Sequence, residues 1–167
     1  ADGEGRIRAS MRGKCDQVNE FLKVVGEPVK PEPKPAEGAE SPVFTVVDCG
    51  CGKAYLTIAL YFYLTEVVKM PNVKVVGIDR RNDVISAARK MAENLGIADR
   101  VTFIESDLGE VSLEKADLVV SLHACDTATD EALARGVEWK ARYILSAPCC
   151  QHELQKTLDD KGAFAGL

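Results

Sequence analysis

The residues with the clearest chemical meaning in this chain lie in one short stretch, 48–54. An apolar run ends there in Asp48, and Gly50 and Gly52 follow it before an apolar helical pattern begins. A strand, a glycine turn and a helix in this order place bare backbone and a helix N-terminus beside a small ligand. The negative charge before the turn suits a ligand that carries positive charge, and it would repel a pyrophosphate.

S-adenosylmethionine (SAM) carries an ammonium and a sulfonium group, whereas NAD carries a pyrophosphate, so the turn predicts a SAM-dependent methyltransferase. Asp79 ends a second apolar run, about where an acid would accept hydrogen bonds from both ribose hydroxyls. Asp107 follows a third apolar run and is predicted to accept a hydrogen bond from the adenine amino group. The alternative for both acids is an ordinary turn or helix-capping role. Asp48 is predicted to hold the amino-acid end of the cofactor, through the turn or through water.

Gly50 and Gly52 allow the first turn to approach a ligand closely because they lack a Cβ atom. The residues predicted to bind the cofactor all lie at or just after the end of a predicted strand. They are Asp48, Gly50, Cys51, Gly52, Asp79, Arg80, Ser106, Asp107 and His123. Lys53 is either a solvated residue of the first helical turn or a contact of the cofactor carboxylate.

Two further loops concentrate reactive side chains, one around His123 and one around Cys149. Three chemical roles compete for them. A histidine or Asp126 could position or deprotonate the methyl acceptor, a cysteine could add to a pyrimidine ring, or thiolates and an imidazole could bind zinc. The structural alternative is that the cysteines are small buried residues. The predicted catalytic residues are His123, Asp126, Cys149 and His152, and no metal is predicted because the spacing matches no standard zinc signature.

Predicted strands and helices alternate from residue 42 onward, and the strands are nearly continuous apolar runs. This pattern is typical of a buried parallel sheet. The predicted strands are 43–48, 73–79, 101–105, 117–122 and 142–146, and the predicted helices are 5–25, 54–69, 83–95, 127–137 and 151–158. The predicted fold is therefore α/β, a Rossmann-like doubly wound parallel sheet, which binds its ligand at the carboxyl ends of the strands.

Three segments are expected along the chain. Residues 1–26 form an amphipathic helix, which either packs on the domain as a flank or contacts the substrate. Residues 27–42 form a proline-rich linker, which is expected to be extended and mobile. Residues 43–167 form the ligand-binding domain.

Composition limits the class of protein. The chain has 167 residues, of which 46% are hydrophobic and 28% charged, as expected for one globular domain with a proper core. No apolar run approaches the ~20 residues that a bilayer requires, and the polar N-terminus does not resemble a secretory signal, so no membrane partner is expected. The tight pairs Cys49/Cys51 and Cys149/Cys150 are poorly spaced for disulfides and predict a reducing, cytoplasmic compartment.

The charge pattern bears on the substrate. The net charge is −5, and the sequence shows no clearly basic face. A domain that grips a long nucleic acid alone would usually carry such a face. The charge pattern therefore indicates that the substrate is not nucleic acid, or that other parts of a larger protein grip it.

Three separated motifs together resemble one group of class I methyltransferase domains. They read DCGCGKAYLT (48–57), LHACDTATD (122–130) and PCCQHEL (148–154). The group includes the methyltransferase domain of the glutathione S-transferase C-terminal domain-containing protein, the ribosomal RNA adenine dimethylase domain-containing protein and a tRNA 2′-O-methyltransferase. The resemblance covers about residues 5–160 and implies a SAM-binding Rossmann-like fold. It carries cofactor roles onto Asp48, Gly50, Gly52, Asp79, Asp107 and His123, and it makes RNA the leading expectation for the methyl acceptor.

One departure from that group is expected. Class I methyltransferases usually have seven strands, whereas the pattern here ends after a fifth strand and one helix. We therefore expect a domain without the last two strands, either a fragment or a short form. This expectation favours the main alternative function, a non-catalytic SAM-binding or scaffold domain of a larger assembly. An NAD-dependent oxidoreductase is the other alternative, and Asp48 and the lack of a third glycine at Tyr55 count against it.

Overall fold

Strands and helices alternate through the residues that the computed structural model describes, which are 9–31, 41–122 and 127–148. The strands are β1 (Phe44–Cys49), β2 (Val73–Asp79), β3 (Val101–Glu105), β4 (Leu118–Leu122) and β5 (Tyr143–Ala147). The α-helices are α1 (Arg12–Gly26), α2 (Tyr55–Phe62), α3 (Asn82–Asn94) and α4 (Thr127–Glu138). Short 3-10 turns cover Ala9–Met11 and Leu108–Glu110, and the second of these was not predicted.

The strands form one parallel sheet in the order β3-β2-β1-β4-β5. Asp48 of β1 lies opposite Gly77 of β2 on one side and Val120 of β4 on the other. The chain moves outward from β1 in one direction through β2 and β3, and then in the other through β4 and β5. This reversal is the topological switch point of a doubly wound sheet, so the predicted Rossmann-like fold is confirmed.

The central strands β1 and β4 are buried on both faces because their residues alternate between two apolar clusters. Val46 of β1 packs with α1, α2 and α3, whereas Val47 and Cys49 pack on the opposite face with α4 and the second 3-10 turn. Trp139, directly after α4, is completely buried in the second cluster. Burial on both faces explains why the strands read as continuous apolar runs in the sequence.

The second predicted helix differs from the structure in its last turn. We predicted one α-helix over 54–69, but α2 ends at Phe62 and continues as a π-helix over Tyr63–Val67. The Val68 N–H donates to the Tyr63 carbonyl at 2.9 Å, which is the wider hydrogen bond of a π turn. The Thr65 hydroxyl donates back to the Tyr61 carbonyl at 2.9 Å, a bond that competes with regular helical geometry.

Helix α1 packs into the same core as the sheet. Phe21, Leu22 and Val25 are buried in the first cluster, and Val29, which follows the helix, is 1% exposed. The beginning of the segment predicted to be a mobile linker is therefore packed, because the apolar Val29 joins the core. The predicted helix start at residue 5 and residues 32–40 of that linker lie outside the described residues.

The remaining predicted boundaries agree with the structure within one residue. Gly96 takes the left-handed conformation after α3, with φ of 67°, as expected for a residue that ends a helix. The predicted helix 151–158 and the expected absence of two further strands fall on residues outside the described part of the chain. Within the described residues, no helix has the length and apolarity that a membrane crossing requires.

Candidate functional site

The turn after β1 is folded tightly against the end of β2. Gly50 and Gly52 have φ of 76° and 51°, in the left-handed region that glycine adopts without strain. The N–H groups of Gly50 and Cys51 both donate to the Ile78 carbonyl at 2.9 Å. A Cβ atom on Gly77 of β2 would lie 3.0 Å from the Cys51 sulfur, so this close approach depends on glycine in the neighbouring strand as well.

Asp79 connects the end of β2 to this turn. Its Oδ2 accepts a hydrogen bond from the Gly52 N–H at 2.9 Å and one from Arg81 Nη2 at 3.2 Å. Its Oδ1 accepts from the Arg81 N–H at 3.0 Å and from Arg81 Nε at 3.1 Å. Burial alone would raise the pKa of Asp79, but the hydrogen bonds from Arg81 and Gly52 outweigh it and lower the pKa. Asp79 is therefore ionised, and its four lone-pair sites are all in use.

Asp48 is a buried carboxylate at the other side of the turn. It is 2% exposed, and its Oδ2 accepts a hydrogen bond from the Thr57 hydroxyl at 2.6 Å. Burial raises the pKa of Asp48 to about 6, the hydrogen bond from Thr57 restrains the rise, and the negative charge of Asp79 adds to it. The group is still mostly ionised at neutral pH, so the turn carries a buried negative charge.

A cavity of about 250 Å³ opens beside the turn. Asp48, Gly50, Cys51 and Gly52 line it on the sheet side, and Leu122 of β4 closes it at the switch point. Helix α1 supplies another wall, which consists of Lys14, Gln17 and Val18. Lys53, Tyr55, Leu56 and Arg81 complete the lining. The cavity thus combines a negative inner wall with cationic side chains nearer to solvent.

The two cysteines of the turn are protonated thiols rather than nucleophiles. Burial and the charge of Asp48 raise the pKa of Cys49 to about 12. Burial also raises the pKa of Cys51, with smaller contributions from Asp48 and Asp79. A nucleophilic cysteine needs a lowered pKa, so Cys51 can only serve as a neutral part of the cavity wall.

The structure brings part of the predicted cofactor set together. Asp48, Gly50, Cys51 and Gly52 line the cavity, and Asp79 lies behind Arg81. Arg80, Ser106 and Asp107 do not line it: Arg80 and Asp107 are exposed, and the Ser106 N–H donates to the Asp79 carbonyl at 3.2 Å. The predicted catalytic residues His123, Asp126, Cys149 and His152 lie outside the described residues, as do Cys125 and Cys150.

Sequence reasoning missed several side chains of this site. Thr57 lies in the first turn of α2, nine residues after Asp48, and its hydroxyl could have been predicted as a partner of that carboxylate. Arg81 is two residues from Asp79, and we chose its neighbour Arg80 instead. Lys14 and Gln17 gave no signal, because a proline-rich segment separates α1 from the turn in the sequence and only the packing of α1 brings them together.

The sequence comparisons point to one family. A family model described as a methyltransferase domain matches residues 13–157 of the chain. The glutathione S-transferase C-terminal domain-containing protein of Xenopus laevis is 27% identical over 158 residues, which are 95% of this chain and 22% of that protein. The chain thus spans about a fifth of the length of that relative.

Two solved structures share the fold. The magnesium protoporphyrin IX methyltransferase of Synechocystis PCC 6803, with bound SAH, is 20% identical and has a TM-score of 0.57, over 86% of this chain and 61% of its own. A SAM-dependent methyltransferase of Geobacter sulfurreducens, in complex with S-adenosyl-L-homocysteine, is 25% identical with a TM-score of 0.50, over 72% of this chain and 43% of its own.

Proposed function

Because the chain belongs to the methyltransferase-domain family that it matches, we propose that it binds SAM beside the glycine turn and transfers the methyl group to RNA. The proposal that SAM binds here depends on one observation. Two carboxylates, Asp48 and Asp79, lie on the two sides of the glycine turn. Asp48 presents a buried negative charge to the cavity, and Asp79 holds the Gly52 N–H from the end of β2. The sequence predicted a methyltransferase that uses SAM, and the comparisons confirm this class of enzyme and the cofactor of that class.

The described residues suit this cofactor. Asp48 supplies a buried carboxylate for the ammonium end, and the turn offers backbone without obstructing side chains. Asp79 would supply oxygens for the ribose hydroxyls once the Arg81 guanidinium moves aside. When bound, SAM supplies a methyl group that its sulfonium has already activated. The work left to this chain is to hold the cofactor and to position the acceptor atom in line with that methyl group.

Calorimetric titration tests the cofactor. S-adenosylhomocysteine is expected to bind the whole chain saturably, and NADH is expected not to bind, because Asp48 would repel its pyrophosphate. Binding of NADH with exclusion of S-adenosylhomocysteine would overturn the proposal and favour an oxidoreductase.

Arg81 competes with the ribose for Asp79, and this competition gives a prediction. The guanidinium occupies one hydrogen-bonding site on each carboxylate oxygen, and its side chain is 57% exposed and so free to move. Arg81→Leu vacates both sites while the Gly52 and residue-81 N–H groups remain. We expect S-adenosylhomocysteine to bind about threefold to tenfold more tightly in this variant, as measured by calorimetry, since a surface ion pair no longer has to break.

Arg80→Leu is the matched control for Arg81→Leu. It removes the same charge one position earlier, at an exposed side chain outside the cavity lining, and should leave the dissociation constant unchanged. Weaker binding in Arg81→Leu would show instead that the guanidinium contacts the cofactor directly.

The choice of RNA as the methyl acceptor is supported by the family resemblance and by the charge near the cavity opening. The sequence resembles a group that includes RNA methyltransferases, and cationic side chains lie near the outer part of the cavity. Single-turnover transfer from SAM labelled in its methyl group, offered total cellular RNA and a protein extract in parallel reactions, separates the outcomes. Label in RNA supports the proposal, whereas label in protein alone overturns the choice of acceptor.

A SAM-binding domain without catalysis is the second candidate function. The fact that favours it is that the chain spans about a fifth of the length of its relative, which leaves room for catalytic or substrate-binding parts elsewhere. Binding of S-adenosylhomocysteine without transfer to RNA or protein would support this candidate.

We also propose a reducing, cytoplasmic location. Cys15, Cys49 and Cys51 are free thiols in the structure, in agreement with a compartment that keeps cysteines reduced. Titration of accessible thiols in protein isolated under non-reducing conditions, with and without denaturant, tests this proposal. Oxidised cysteines in such a sample would contradict it.

A further inference from the structure

The outer edge of the cavity holds a lysine and an aromatic ring from two different helices. Tyr55 is the first residue of α2, directly beyond the glycine turn, and its side chain is 38% exposed. Lys14 of α1 places its Nζ atom 5.8 Å from the centre of the Tyr55 ring. Both residues line the cavity, and Lys53, which is exposed on the turn, lies next to them in the lining.

Lys14 lies on the same face of α1 as the residues that pack into the core. On an α-helix, residues at spacings of three and four share one face, and Lys14 is on the face of Val18, Phe21 and Val25. The two later residues are buried in the core and fix the helix, whereas Val18 and Lys14 extend the same face into the cavity wall. An apolar face thus ends in a cation at the opening of the cavity.

The opening of the cavity is positively charged although the chain as a whole is negatively charged. The chain has a net charge of −5, and Asp48, the carboxylate in the cavity lining, is buried. Within residues 9–31, 41–122 and 127–148, no acidic side chain forms an ion pair with Lys14 or Lys53. The opening therefore offers two cations and one exposed ring to a ligand outside the cofactor region.

We propose that Lys14, Lys53 and Tyr55 form a platform that binds the nucleotide next to the methyl acceptor in single-stranded RNA. This proposal rests on the proposed function, since it assigns a binding surface to the RNA acceptor. A base stacks on the exposed face of Tyr55, and the lysines contact the flanking phosphates. Stacking tolerates any base, so the platform contributes affinity and orientation while the acceptor atom is chosen deeper in the site.

Binding of a fluorescent single-stranded RNA of mixed sequence, measured by anisotropy with the whole chain, tests the platform. Lys14→Glu and Tyr55→Leu are each expected to weaken RNA binding about tenfold, and Tyr55→Phe should restore it because the ring is retained. Lys14→Ala should also lower the slope of log affinity against log salt by about one, as for the loss of one phosphate contact. The dissociation constant for S-adenosylhomocysteine, measured in parallel, should change less than that for RNA in each variant, because both residues lie at the outer edge of the cavity lining.

Lys23→Glu is the matched control, since it makes the same charge change on α1 at an exposed residue outside the cavity. RNA binding by wild type that is unaffected by Lys14→Glu and Tyr55→Leu would overturn the platform and leave the proposed function standing. A loss of S-adenosylhomocysteine affinity in those variants would assign the residues to the cofactor instead. A wild-type chain that neither binds nor methylates RNA would overturn the RNA acceptor and the platform together.

Discussion

Asp79→Ala is expected to weaken binding of S-adenosylhomocysteine by at least about 100-fold if Asp79 holds the ribose as we propose, because two hydrogen bonds to an ionised carboxylate would be lost at about 1.5–3 kcal/mol each. The structure adds a second cause. Asp79 also holds the Gly52 N–H at 2.9 Å, so its removal leaves the glycine turn without one of its attachments to β2. Calorimetric titration of the variant measures the combined effect.

Asp79→Asn separates these two causes, and Asp99→Ala serves as the control. Asparagine keeps one acceptor for the Gly52 N–H and loses the charge, so we expect an intermediate loss of about tenfold. Asp99 has 75% of its side chain exposed and pairs with the neighbouring Arg100, so Asp99→Ala should bind as wild type. Full affinity in Asp79→Ala, with the circular dichroism spectrum unchanged, would remove Asp79 from the cofactor site.

Asp48→Asn is expected to make the fold more stable while it weakens the binding of SAM. The carboxylate is buried, and burial raises its pKa from the ordinary 3.8 to about 6, so its charge costs free energy in the folded state. A difference of that size corresponds to about 3 kcal/mol at most. Asparagine keeps an oxygen for the Thr57 hydroxyl, and the expected gain in the free energy of unfolding at pH 7.5 is about 2 kcal/mol. Loss of the charge facing the ammonium group should weaken SAM binding about tenfold or more.

The gain in the free energy of unfolding of Asp48→Asn over the wild type should increase as pH rises. The folded state holds a proton on Asp48 more tightly than the unfolded state, so the stability of the wild type falls as pH rises from about 4 to about 6. The cost is fully present above pH 6 and absent below pH 4. Urea unfolding of wild type and Asp48→Asn across this range should therefore show two stability curves that separate as pH rises.

Thr57→Val provides the opposite control for the Asp48 prediction. It removes the hydroxyl that donates to the buried carboxylate at 2.6 Å, so it should lower stability at pH 7.5 and raise the pKa of Asp48 further. Equal stability of wild type and Asp48→Asn at every pH would contradict a costly buried charge at this position.

The sequence was sufficient to predict the sheet because its signals are local and repeated. Each strand is a short apolar run bounded by turn residues, and strands buried on both faces contain few polar interruptions. The turn from Asp48 to Gly52 was predictable for a similar reason, since positive φ angles at two positions favour glycine there.

What the sequence could not supply depends on contacts between distant segments. The π-helix at Tyr63–Val67 leaves the apolar periodicity of the sequence almost unchanged, so the pattern that predicted one α-helix does not distinguish the two. The sequence predicted a free carboxylate at Asp79. In the structure Arg81 donates hydrogen bonds to it, which depends on the directions of the side chains after β2. Lys14 lines the cavity because of the way α1 packs on the domain, and the sequence alone does not predict that packing.

The packing of α1 bears on where this protein can be divided. A recombinant version begun at Pro42, where the strand pattern starts, would lose Phe21, Leu22, Val25 and Val29 from the apolar interior. It would also lose one side of the cavity. The helix before the prolines is therefore integral to the domain that forms the cavity, and any dissection, fusion or transplantation of this domain should carry it along.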